Sequence, residues 1–268
     1  MANIFISYAD NKFTESLNRI TRQAKRVGIF DKIIQYTPKD LPAYIKASPL
    51  MAYSKGGGYW CWKPYIIYHT LQNCEEGDVV FYADAGCTLN ETSEEWQQFL
   101  QHAKGHNAVF FQYRDGVNYG NGFCSHSPEL RHWIKPRTAS FFEQFVDPEF
   151  LNFNKIWGGF MIFRKTKPLS IILSHWLNIT LFHPELIIDP MGEELGALPQ
   201  SFVSHRHDQS VLTALVYHYQ QQDKVLVLPE TSESRIGNPA VLATRWRQAR
   251  LPLFQHLKYR LWCLLHGE

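Results

Sequence analysis

The run Val79-Val80-Phe81-Tyr82-Ala83, followed at once by Asp84, constrains this chain more than any other feature. Five consecutive apolar residues leave no solvent face, so a strand made of them must be covered on both sides. That is the condition of an inner strand in a parallel sheet clothed by helices. The flanking sequence supplies the partners. Ile4–Ser7 is a short apolar strand. Asp10 or Asn11 caps a helix over roughly 12–27, with Phe13, Leu17, Ile20 and Ala24 at helical spacing and Gly28 as its stop. Lys32–Tyr36 is a second strand. The glycines Gly56, Gly57 and Gly58 lead into an aromatic helix with Pro64 in an early turn, and the turn Glu76-Gly77-Asp78 delivers the chain to the Val79 strand. The order strand–helix–strand–helix–strand predicts an α/β fold with a mostly parallel central sheet flanked by helices.

Further along, the patterns predict a helix near 92–103, strands at Ala108–Gln112, Gly159–Arg164 and Val225–Leu228, and helices near 168–182 and 208–221. The stretch 114–158 is rich in Gly, Pro and aromatics, has no clear period, and reads as substrate-side loops of the same domain. The chain of 268 residues is thus taken as one domain over 1–244 and a separate segment over 245–268. In that last segment Leu253, Phe254, Leu257, Leu261, Leu264 and Leu265 form one helical stripe, and five basic residues face only Glu268, a net +4. The remainder holds 22 basic and 24 acidic residues, a net −2. A basic amphipathic helix on a near-neutral body suits peripheral contact with an anionic membrane, or packing on the domain with solvated arginines.

Composition excludes several classes. Hydrophobic residues are 45% and charged residues 19%, which rules out a disordered chain. An overall charge of +2 is too balanced for a general nucleic-acid binder. Five cysteines without a CxxC read as reduced thiols of a cytoplasmic protein. No run approaches the ~18 apolar residues of a membrane span, and the N-terminus lacks the pattern of a signal peptide. A P-loop, HExxH and GxSxG are all missing, and Gly120 and Gly122 lack the third glycine and preceding strand of a dinucleotide fingerprint.

The strongest chemical signal is Asp84. Ligands of open α/β sheets bind beyond the carboxyl ends of strands, and a carboxylate placed there holds a metal or a ribose hydroxyl, or simply caps the turn. Asp208, at the start of an apolar helix, is a candidate base or a favourable first-turn charge, with His207 or His205 placed to orient it. Lys63 is a candidate phosphate ligand or a snorkelling surface lysine. Trp157, Gly158 and Gly159 could admit a sugar ring against an indole face, or mark a core Trp beside a strand irregularity.

VVFYADAG resembles the Asp-X-Asp strand of nucleotide-sugar glycosyltransferases of the GT-A fold, in which the two aspartates bind a divalent metal and the nucleotide diphosphate. Asp84 matches the first aspartate, and Gly86 stands where the second would be. Ser7-Tyr8-Ala9 is similar to the exit of the first GT-A strand, Lys63 to a basic residue that reaches the donor, Trp157-Gly158-Gly159-Phe160 to the acceptor strand, and His207-Asp208-Gln209-Ser210 to a late helix start. The pattern spans about 7–210 and looks like small bacterial lipopolysaccharide and capsule transferases. The resemblance implies a GT-A, Rossmann-like sheet and transfer of a hexosyl residue, galactose among the candidates, from a UDP-sugar to a glycan or lipid-linked acceptor at the inner face of the cytoplasmic membrane. It further implies that Ser7, Tyr8, Ala9, Lys63, Asp84 and Ala85 hold the nucleotide sugar, that Trp157, Gly158 and Gly159 meet the acceptor, and that Asp208 and His207 carry catalysis. It also implies Mn²⁺ or Mg²⁺ on Asp84, a role that the glycine at 86 weakens. A nucleotidyltransferase and a non-catalytic sugar-binding module with a degenerate donor site are the rival readings.

Overall fold

The structure, a computed structural model, describes residues 1–119, 126–220 and 222–246. The basic amphipathic helix expected over 245–268 lies outside the described residues apart from Arg245 and Trp246, as do Gly120 and Gly122.

Its strands are β1 (Asn3–Tyr8), β2 (Lys32–Tyr36), β3 (Val79–Ala83), β4 (Thr88–Leu89), β5 (Ala108–Gln112), β6 (Ile156–Arg164), β7 (Val225–Pro229) and β8 (Val241–Leu242). The helices are α1 (Thr14–Val27), the short α2 (Ala43–Lys46) and α3 (Gly56–Tyr59), α4 (Trp62–Gln72), α5 (Glu95–Gly105), α6 (Pro136–Phe142), α7 (Lys167–Phe182) and α8 (Asp208–Tyr219). Six strands form one sheet in the order β2-β1-β3-β6-β5-β7, and β4 pairs with β8 in a separate ribbon. All pairings in the large sheet are parallel except those of β6, which runs antiparallel between β3 and β5.

β3 is buried along its whole length, as its composition requires. Val80 and Tyr82 join Ile4, Ile6 and Tyr8 in the core shared with α4, α7 and α8. Val79, Phe81 and Ala83 join Phe5 in the core on the opposite face, where α1 and α5 supply Leu17, Ile20, Trp96 and Phe99. The helix expected over roughly 12–27 is split: Asp10 caps a 3-10 turn at Asn11–Phe13, and α1 follows, ending in a left-handed Gly28. Among its described residues, the irregular stretch 114–158 contains α6, two 3-10 turns and the start of β6 in addition to loops.

The antiparallel course of β6 was not expected from the sequence, and it positions the site. Its register pairs Ala83 with Phe160, so Gly158 and Gly159 lie just beyond the carboxyl end of β3. There the Asp84 N–H donates to the Gly159 carbonyl at 2.9 Å.

Candidate active site

Three elements converge at the carboxyl edge of the sheet. β3 delivers Asp84, the first turn of α4 delivers Lys63, and the first residue of α8 is Asp208. Lys63 is only 3% exposed. Its Nζ lies 3.3 Å from Asp84 Oδ1 and 3.4 Å from Asp208 Oδ2, and it donates to the Gly158 carbonyl at 3.1 Å. An ammonium has three N–H groups, and here it faces three acceptors. The Tyr82 hydroxyl donates to Asp84 Oδ1.

The electrostatics follow from burial. Loss of hydration pulls the Lys63 ammonium down, but Asp208 and Asp84 beside it more than offset this, and its pKa is raised. Burial pushes the Asp208 carboxyl up to about 6; Lys63 opposes that shift and Asp84 adds to it. Tyr82 is driven well above its ordinary value by burial and by the neighbouring Asp84, so it is a donor and not a phenolate.

The approach to Lys63 is an unusual piece of backbone. Gly56, Gly57, Gly58, Tyr59 and Trp60 have positive φ of 60°, 59°, 97°, 49° and 58°. Consecutive left-handed residues require glycine wherever a Cβ would collide. A Cβ on Gly56 would overlap the Trp60 indole, and one on Gly58 would lie 2.6 Å from Met51 Sδ. The two non-glycine residues are held from outside. The Tyr59 hydroxyl donates to Asp189 Oδ2 at 2.7 Å, Lys55 pairs with the same carboxylate at 2.8 Å, and Trp60 stacks on His207. His207 itself has φ 54° and ψ −123°, a conformation that costs about 1–3 kcal/mol. Strain at both entrances of the lysine–carboxylate cluster marks the place where the fold is over-determined.

Asp84, Lys63, Asp208, His207, Trp157, Gly158 and Gly159 all line one cleft of about 420 Å³. Four of the other expected residues do not. Ser7, Tyr8, Ala9 and Ala85 are buried and absent from that lining. Tyr8 was expected to stack on a base, but its ring lies 3.9 Å from that of Trp62 at a tilt of 20°, so an indole takes that face. The Ser7 hydroxyl is buried and has no hydrogen-bond partner among the described residues. Arg19 donates to the Ala85 carbonyl at 3.3 Å, which ties that backbone to α1.

Two further roles change. His207 was placed to orient Asp208, but its Nδ1 faces the Ile187 carbonyl at 2.8 Å and its Nε2 faces Asp189 at 3.7 Å. Burial lowers its pKa to about 4, so the ring is neutral and shapes the α8 entrance through packing and backbone. Trp157 is a core residue whose indole covers Gly159, where a Cβ would overlap it. Gly158 contributes its carbonyl to Lys63.

Four residues on the cleft walls, Lys55, Lys155, Asp189 and Glu233, carry no signal in the sequence. Each stands in an irregular segment or at a strand end, where no periodicity flags it. Burial and the neighbouring Arg206 lower the Lys155 pKa to about 7. The cationic Arg206 and Arg245 also line the cleft, Arg245 pairing with Glu233 at 2.9 Å.

No protein-family model matches the chain, and no curated protein matches it. Among solved structures it resembles glycosyltransferases. One is involved in glycosylation of the major capsid of PBCV-1, with 8% identity, 97% of this chain and 98% of that chain covered, and a TM-score of 0.47. A second is GlyE of Streptococcus pneumoniae TIGR4, with 12% identity, 97% and 60% coverage, and a TM-score of 0.46. A third is mouse xyloside xylosyltransferase 1, with 10% identity, 85% coverage of both chains, and a TM-score of 0.40. These are loose likenesses of fold, and the chemistry rests on the cleft itself.

Proposed function

We propose that the protein is a nucleotide-sugar glycosyltransferase with its donor in the Asp84 cleft. The observation that carries this reading is the convergence, at the carboxyl edge of a mostly parallel sheet, of Asp84, a buried Lys63 and a carboxyl whose pKa of about 6 suits a base. UDP-linked hexose is the donor class that the Asp-X-Asp resemblance suggests, and Asp84, 38% exposed at its side chain, can present its carboxylate to a ribose or sugar hydroxyl.

In the reaction, an acceptor hydroxyl attacks the anomeric carbon of the donor. The new C–O bond forms as the anomeric carbon–phosphate oxygen bond breaks, the diphosphate leaves with the electron pair, and Asp208 takes the acceptor proton. Charge on the leaving diphosphate needs cations. Lys63 is engaged by two carboxylates and the Gly158 carbonyl, so Arg206 and Arg245 on the cleft wall are the groups for that task.

The acceptor is a glycan, and the basic, leucine-rich sequence of 245–268 suits one carried on a lipid at a membrane surface. Among the described residues no helix is long and apolar enough to cross a membrane. The test is release of nucleoside diphosphate from a panel of UDP-hexoses, with and without oligosaccharide acceptors. Turnover with one donor that is abolished in Asp208→Asn supports the reading. No turnover and no binding with any nucleotide sugar overturns it.

A further inference from the structure

The GT-A resemblance brings a divalent metal with it, and the donor set can be tested for one. Asp84 is the single carboxylate at the motif, and its Oδ1 is already taken by Lys63 and by the Tyr82 hydroxyl. Gly86, where a second aspartate would stand, lies under the chain segment that follows β8. The Trp246 N–H donates to the Gly86 carbonyl at 3.0 Å, and Thr244 Oγ1 donates to the same oxygen at 2.9 Å. A Cβ at Gly86 would meet the Arg245 Cα at 3.6 Å and the Trp246 carbonyl oxygen at 3.7 Å, ordinary contact distances. Among the described residues no group of three or more His, Cys, Asp and Glu could hold a metal ion. The residues present do not fit the ion.

They do hold a cation. We propose that the Lys63 ammonium is the resident cation of this site, standing between Asp84 and Asp208 where a divalent ion would otherwise bridge carboxylates, so that donor binding proceeds without metal. Three features support this. The ammonium is buried, with two carboxylates at 3.3 and 3.4 Å and a carbonyl at 3.1 Å. It sits on the first turn of α4, fixed by the glycine turn before it. An added dication beside it would be repelled by the ammonium and would compete with it for the same two carboxylates, whereas tight sites for hard divalent ions gather several oxygen ligands. The role in donor binding rests on the transferase reading, whereas the response to metal does not.

The experiment uses the full chain. Free Mn²⁺ is followed by electron paramagnetic resonance in titrations of wild type, Asp84→Asn, Lys63→Ala and the double variant, without nucleotide. Wild type and Asp84→Asn should leave Mn²⁺ equally free. Lys63→Ala vacates the bridge and should bind Mn²⁺ at least about tenfold more tightly than wild type, a gain that the double variant loses. In parallel, the UDP affinity of wild type should be the same in EDTA and in Mn²⁺.

Wild-type binding of Mn²⁺ that Asp84→Asn abolishes would overturn the inference, as would UDP binding seen only with Mn²⁺, or no gain in a folded Lys63→Ala. Should Lys63→Ala fail to fold, the wild-type and Asp84→Asn titrations still decide. No UDP binding in either buffer would sink the transferase reading, and the Mn²⁺ titrations would still decide the role of Lys63.

Discussion

At the scale of single residues, a buried lysine keeps its charge only when its partners outweigh the hydration it has lost. Lys63 meets that condition through Asp208 and Asp84. Breaking a buried pair by removing one member typically costs about 3–5 kcal/mol, because the other charge is stranded. Lys63→Met should therefore lower unfolding free energy by about that much, measured in urea. The Asp84 arm, partly open to water, contributes at the screened end of that range. Asp208 makes a pH prediction. It acts as a base only when deprotonated, so transfer should rise with pH through about 6 and fall below it. The same raised pKa makes folding less favourable as pH climbs from the unfolded carboxyl's range near 4 towards 6, because the unfolded chain releases its proton first. Asp208→Asn should lose about 10²–10⁴ in transfer rate and abolish the acid limb of any residual activity. A flat rate between pH 5 and 8 in wild type would remove Asp208 from that role.

At the scale of elements, the left-handed turn at Gly56–Trp60 aims α4 so that Lys63 enters the sheet edge. Gly58→Ala places a Cβ at φ 97° against Met51. It should destabilise the fold by about 1 kcal/mol or more and reduce transfer, since the turn sets the lysine. Unchanged stability by thermal denaturation would show that the turn is free to relax. This turn also shows what could be read in advance. The glycine run and the position of Lys63 behind it were legible, because glycine spacing and a helix pattern are local signals. The strain at Tyr59 and Trp60 was not, because Asp189 and His207, which hold them, are remote in sequence. β6 was legible as a strand, but its direction depends on how 114–158 returns the chain, and that stretch has no period. Tyr8 and Ser7 were placed at the right strand exit, yet a strand exit does not say whether a side chain meets a ligand or a neighbouring helix. Trp62 on α4 settled it for Tyr8.

At the scale of the whole molecule, the cleft lies between the carboxyl edge of the sheet and the segment that crosses Gly86 after β8. Thr244 also hydrogen-bonds Thr88 at 2.9 Å, and Arg19 lies over the Trp246 ring at 5.1 Å, so α1, the β3 exit and this segment are tied together. Gly86→Asp restores the two-aspartate motif in sequence and sets its Cβ in ordinary contact with that segment. Because Lys63 still stands between Asp84 and Asp208, UDP binding by the variant should gain no metal dependence. A folded variant whose UDP binding becomes Mn²⁺-dependent would show that a second aspartate outweighs the lysine.

The proposed transfer requires that the Asp84 cleft receive a nucleoside diphosphate. Isothermal calorimetry of UDP with the full chain and with Asp84→Asn tests it most directly. One-site binding to wild type is expected, weakened about tenfold or more in a variant that melts normally. Equal affinity in both proteins, or no heat with any nucleoside diphosphate, would contradict it.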